Sequence, residues 1–141
     1  MEEILLFVYG SLRSGLRNHY MLDNSQYLGK FTSEEYFHLI AYETLLFPYL
    51  LNLPITDPKT QIKGEIYKVN SRTLKKLDLL ESQPDIFQRQ EKIFTNGEDT
   101  VSAYVYILAN TTIVDSILDN LNSTYFLIES GDWVNFLCTG K

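Results

Sequence analysis

The run Ile4-Leu5-Leu6-Phe7-Val8, closed at once by Tyr9-Gly10-Ser11-Leu12, constrains this chain more than any other feature. The run is short, partly β-branched and ended by a glycine. That pattern predicts a buried strand that stops in a sharp loop. Glycine lets backbone approach a ligand with no Cβ in the way. Successive amides at such a loop can face one concavity and hold an anion such as a carboxylate. The same residues also fit an ordinary strand-ending turn that binds nothing.

At 141 residues the chain is expected to form one domain, residues 1–141, with a core of its own. Its content of 45% hydrophobic and 21% charged residues excludes a disordered chain. The 10 tyrosines and 8 phenylalanines exceed what a dry core needs, and some of the tyrosines are expected to line a cavity. A net charge of -6 with no basic stripe argues against nucleic acid as a partner. Recognition of a small anion would have to be local, because the overall field opposes it. Cys138 is the single cysteine, so no intrachain disulfide forms, which suits a reducing compartment. The start has neither a basic segment nor a long apolar stretch, and nothing reads as a membrane span. A cytoplasmic location is the expectation. His19 and His38 lie far apart without ligand-like neighbours, and no metal site is expected.

Along the chain, Asn18 is placed to cap a short helix through about Leu22. Short strands are expected at Tyr27 to Thr32 and at Phe37 to Tyr42. Leu45 to Leu53, broken by Pro48, reads as irregular or as an edge strand. Ile62 to Val69 is a strand, and Ser71 opens the clearest helix, with Leu74, Leu77 and Leu80 as its buried stripe. Ile86 to Phe94 and Val101 to Leu108 form a hairpin joined through Asn96-Gly97. Ile113, Ile117, Leu118 and Leu121 suit a second helix, and Gly131-Asp132-Trp133-Val134 is placed to cover the core. The order fits an α+β fold, a small mixed β-barrel with helices packed outside.

Glu81 is the carboxylate in an unexpected place. It follows Leu74 by seven positions and Leu77 by four, and therefore continues an apolar face. It also falls in the last turn, where the helix dipole is negative. Burial and dipole both disfavour the anion and raise its pKa toward the range useful for proton transfer. The other reading is a helix already frayed at Glu81, with the side chain in water. No His, Cys or second carboxylate is placed to share the chemistry, which disfavours a triad hydrolase and a two-carboxylate glycosidase.

Tyr9-Gly10-Ser11-Leu12 resembles the Y-G-[ST]-L signature of the gamma-glutamylcyclotransferase-like superfamily. Leu77-Asp78-Leu79-Leu80-Glu81, followed by Pro84 and Arg89, resembles the second signature around the family's catalytic glutamate. Gly64-Glu65-Ile66-Tyr67, Asn18, Leu50-Leu51-Asn52 and Gly131-Asp132-Trp133 also look like family positions. Among the branches, the chain looks most similar to the gamma-glutamylamine cyclotransferases and their uncharacterised relatives. The resemblance implies a small mixed barrel with a central cavity. It implies that amides of Tyr9, Gly10, Ser11 and Leu12 bind the α-carboxylate of a small-molecule γ-glutamyl substrate, and that Glu81 is the acid/base. The implied reaction is an intramolecular aminolysis giving 5-oxoproline and a free amine, with no cofactor. Two positions depart from the pattern. Ser82 stands where the family often has glycine, and Phe87 where a hydroxylated aromatic is common. Arg89 is expected to pair with a nearby acid or carbonyl, with contact to a substrate carboxylate as the other reading. Arg13 is expected to be solvated, with added positive charge beside the loop as its alternative. The leaving amine is expected to be read from Leu45 to Leu53 and from the C-terminal tail.

The leading expectation is a γ-glutamyl cyclotransferase acting on a γ-glutamylamine or similar conjugate. A related enzyme that removes a γ-glutamyl protecting group would use the same chemistry. A binding or regulatory module that keeps the cavity without turnover is the alternative from another class. Glu81 on an apolar face leans against it, because an idle carboxylate there costs stability.

Overall fold

A computed structural model describes residues 4–140. In chain order it contains β1 (Ile4–Val8), a 3-10 turn (His19–Leu22), β2 (Gln26–Tyr42), β3 (Pro48–Leu51), β4 (Thr60–Val69), α1 (Ser71–Leu80), β5 (Phe87–Thr95), β6 (Thr100–Leu108), α2 (Thr111–Asp119), β7 (Tyr125–Leu127) and α3 (Trp133–Thr139). Strands β2-β4-β1-β6-β5 are neighbours in that order, and β5 returns to pair with β2. The sheet thereby closes into the small mixed barrel that the strand pattern predicts.

The first strand explains the closure. Leu6 of β1 faces Tyr67 of antiparallel β4 and Tyr104 of parallel β6. A strand paired on both edges and covered on both faces must be apolar throughout. Leu6 and Val8 pack with Tyr67, Tyr106, Leu77 and Ile117. Phe7 points the other way, among Ile66, Val105 and Trp133, with its ring stacked on Phe94 at 4.1 Å. Full burial of a side chain the size of Phe7 contributes about 2–3 kcal/mol.

The two strands expected before Leu45 are one. β2 runs for 17 residues, pairing first with β4 and then with β3 and β7. Its register slips between Thr32 and Tyr36. There the Ser33 hydroxyl takes the Ile62 amide at 2.8 Å and donates to the Glu35 carbonyl at 2.7 Å. A side chain thus fills the gap in the ladder, and the chain bends without leaving the sheet. Among the described residues β3 pairs only with β2, so Pro48 sits on an edge strand, where its missing N–H costs least.

Helix α1 is capped by Asn70, whose side chain accepts from the Thr73 amide. Leu74 and Leu77 are buried, but Leu80 is 44% exposed and does not belong to the stripe. Leu80 lies roughly 120° around the helix from Leu74, whereas Glu81 returns to within about 20° of it. The second helix ends at Asp119, so Leu121 lies beyond it and bridges to Tyr125. The C-terminal segment forms α3, capped by Asp132 and anchored by the buried Trp133. Among the described residues, no helix is long and apolar enough to cross a membrane.

Gly64 marks a close contact between β1 and β4. A Cβ there would lie 2.2 Å from the Val8 carbonyl oxygen and 2.7 Å from the Phe7 ring. Gly64→Ala is expected to destabilise the protein by about 3 kcal/mol, the upper end for an overpacked core, because backbone has to move. Equilibrium urea unfolding measures this, and a loss below about 1 kcal/mol would mean the β1–β4 contact is softer than described.

Candidate active site

The loop after β1 is held by its own residues. The buried Tyr9 hydroxyl donates to the Tyr106 carbonyl at 2.6 Å. The Gly10 carbonyl takes the Arg13 amide at 3.0 Å and closes a turn. Asn18 does not cap the 3-10 turn with its side chain. It reaches back instead, donating from Nδ2 to the Ser11 hydroxyl at 2.8 Å, while its amide donates to the Ser11 carbonyl. The Leu12 carbonyl accepts from His19 Nδ1 at 3.0 Å. The carbonyls of Gly10, Ser11 and Leu12 and the Ser11 hydroxyl are thus engaged, whereas the amides of Ser11 and Leu12 donate to no described residue. Gly10 has a packing reason as well as any ligand reason. A Cβ on it would lie 2.7 Å from Cδ of Pro48, so the ring of β3 occupies the space a side chain would need.

Arg13 is buried, not solvated. Its Nε donates to Glu65 Oε2 at 3.1 Å and its Nη1 to Asp132 Oδ1 at 2.8 Å. Glu65 Oε1 takes the Ser14 amide and the Tyr67 hydroxyl, each at 2.8 Å. Partial burial alone would raise the Asp132 carboxyl, but the Arg13 guanidinium and the Asn135 amide outweigh it and hold the group below its usual value. One guanidinium therefore joins the loop to β4 and to the start of α3. Solvation was expected because the partners lie 52 and 119 positions away.

Glu81 is the C-cap residue of α1, and the end of that helix is fixed, not frayed. Its amide donates to the Leu77 carbonyl at 2.9 Å, and its carbonyl accepts from the Phe87 amide. Ser82 adopts φ 51°, the left-handed conformation that favours glycine. That conformation accounts for the glycine of the resembling pattern. Burial of the Glu81 carboxyl pushes its pKa from 4.5 up to about 7. Burial also holds the Tyr9 phenol well above the usual tyrosine value, and the neighbouring Glu81 charge acts in the same direction.

Asp78, one turn back from Glu81, forms an ion pair with Arg89 and accepts the Tyr106 hydroxyl at 2.7 Å. Arg89 is therefore an ion-pair partner within the fold. Tyr106 serves both halves of the site: its hydroxyl holds α1 and its carbonyl holds Tyr9. It lies on the face of β6 opposite Ala103, Val105 and Ile107, and its aromatic character was the only sequence signal of a site role.

These elements surround a cavity of about 450 Å³. Tyr9, Gly10, Ser11, Leu12 and Glu81 all line it. Phe47, Tyr49 and Phe87 form an aromatic wall, with Tyr49 edge-on to Phe47 at 5.4 Å and stacked on Phe87 at 6.1 Å. The segment from Leu45 to Leu53 contributes Phe47, Pro48 and Tyr49 to the lining. The C-terminal tail contributes no lining residue among those described; it acts through Arg13 instead.

The family described as gamma-glutamyl cyclotransferase, AIG2-like, matches residues 6–135. A "putative gamma-glutamylcyclotransferase" of Methanocaldococcus jannaschii is 32% identical over 93% of this chain and 96% of its own length. The gamma-glutamylaminecyclotransferase A of Danio rerio is 33% identical over 73% of this chain and 68% of its own length. The crystal structure of an AIG2-like protein from Mus musculus superposes with a TM-score of 0.67 at 30% identity, covering 77% of this chain and 79% of that one.

Replacing Arg13 with Met leaves Glu65 and Asp132 buried or half-buried without their cation. The expected cost is about 3–5 kcal/mol in thermal or urea unfolding, the range for a broken buried ion pair. A cost under about 1 kcal/mol, typical of an exposed pair, would contradict the description. Glu81 makes a second prediction. Its carboxyl titrates near 4.5 when unfolded and about 7 when folded, so folding takes up a proton between those values. Stability from this group is complete below about 4.5 and is lost as the pH rises through 7. At pH ~8 Glu81→Gln should therefore be the more stable protein by up to about 3 kcal/mol, with the gap closing toward pH ~5. A gap that ignores pH would mean the carboxyl is solvated.

Proposed function

The chain belongs to the gamma-glutamyl cyclotransferase, AIG2-like family, and we propose that it converts a γ-glutamylamine or similar small conjugate into 5-oxoproline and a free amine. The observation that carries this reading is the meeting, in one cavity, of a loop whose Ser11 and Leu12 amides are uncommitted and a carboxyl with a pKa near neutrality.

In this reading the amides of Ser11 and Leu12 take the substrate's α-carboxylate, with Tyr9 and Gly10 shaping the loop that presents them. The α-amino nitrogen then swings toward its own γ-carbonyl carbon. A new C–N bond closes the lactam, and the bond from that carbon to the amine nitrogen breaks. The nucleophile is tethered to the electrophile, so the main task is to hold the attacking geometry; oriented intramolecular reactions of this kind gain on the order of 7–11 kcal/mol. Anchoring the α-carboxylate performs that task. Glu81 removes a proton from the attacking nitrogen and returns it to the leaving nitrogen, which restores the carboxylate for the next turn. A carboxyl with a pKa of about 7 suits both transfers, because its two protonation states are similarly populated at neutral pH. The links from Tyr106 to Asp78 and Tyr9 support the reading by fixing the acid/base relative to the loop.

Glu81→Gln keeps the shape of the site and removes the proton carrier. Release of 5-oxoproline from γ-glutamyl-ε-lysine, simple γ-glutamyl amines, γ-glutamyl-α-amino acids and glutathione should fall about a thousandfold in the variant. Unchanged turnover would refute the role given to Glu81. Binding of 5-oxoproline without product from any member of the panel would refute catalysis.

A further inference from the structure

The substrate's α-carboxylate, in the reading above, uses the loop amides. One cationic side chain in the cavity is then left without a function. Among the described residues that line the cavity, Arg17 and Glu81 are the only ones with charged side chains. Arg17 is an exposed lining residue, which places it toward solvent, whereas Leu12 on the loop is 5% exposed. Its Nη2 donates to the Leu46 carbonyl at 3.1 Å. Among the described residues no carboxylate lies within ion-pair distance of it, whereas Arg13 and Arg89 are both paired with acids. A carbonyl fixes a guanidinium in place without neutralising it, and leaves the rest of its donor fork unused. Leu46 is followed directly by Phe47, so the same contact sets the cation beside the aromatic wall of Phe47 and Tyr49.

From this arrangement we propose that Arg17 reads a carboxylate on the leaving amine, so that the preferred substrate is a γ-glutamyl conjugate whose amine half carries both an apolar chain and an acidic group. The proposal rests on the cyclotransferase reading. With the glutamyl half against the loop, the amine half extends toward the open side, along the aromatic wall and past Arg17. The net charge of -6 repels an acidic substrate at long range, so a local cation at the mouth has a discriminating effect that the overall field lacks.

A matched pair of substrates isolates the effect. γ-Glutamyl-leucine and γ-glutamyl-3-methylbutylamine differ only in the carboxylate of the leaving amine. The wild-type protein should favour the first in kcat/KM by about fivefold, the size expected of a partly exposed ion pair. Arg17→Gln should bring the ratio close to one, and Arg17→Lys should keep part of the preference. A wild-type ratio at or below one, or a ratio unchanged in Arg17→Gln, would overturn the proposal. An equal fall for both substrates would overturn it too, because Arg17 would then hold the α-carboxylate or merely the rim. If neither is turned over while another γ-glutamyl amide is, the proposal falls and the reaction class stands. If no γ-glutamyl amide is turned over, both fall.

Discussion

The buried Arg13 guanidinium is the interaction on which the rest of the site depends. A charge in the interior is tolerated only when its donors are matched, and Arg13 is matched by carboxylates from two distant parts of the chain. Glu65 spends its other oxygen on the Ser14 amide and the Tyr67 hydroxyl, so the network has few idle groups. The loop after β1 is consequently a rigid part of the barrel. Its Ser11 and Leu12 amides remain free of internal partners among the described residues, while the carbonyls of Gly10, Ser11 and Leu12 and the Ser11 hydroxyl are committed within the fold.

Tyr106 complements that arrangement from the other side. A single residue of β6 grips the loop through its main chain and α1 through its side chain. The placement of the loop amides relative to the Glu81 carboxyl is thus set by strand geometry, not by loop flexibility. Function by positioning requires this kind of scaffold, because reactions that depend on a held geometry lose rate with small displacements. The raised pKa of Glu81 belongs to the same design. The burial that raises its pKa also makes it a weak point of the fold above neutral pH.

Local patterns in the sequence carry a good part of this architecture. The apolar run of β1, the hairpin of β5 and β6 and the helix after Asn70 are legible because each is written in neighbouring residues. Glu81 is legible for the same reason, since its offset from Leu74 and Leu77 places it on their face. The continuity of β2 is not, because it depends on Ser33 reaching a strand that comes 29 positions later. β7 is too short to show a period. The burial of Arg13 and the double role of Tyr106 rest on partners remote in sequence, and no window of residues contains them.

The contact between Gly10 and Pro48 has a consequence for how such a site changes over time. The Pro48 ring and any side chain at position 10 compete for one small volume. Substitution at either position is therefore conditional on the other. A lineage that first loses the ring acquires freedom at the loop, and once that space is filled the ring cannot return. The order in which mutations arrive, and not only their identity, then decides which cavities descend from this one.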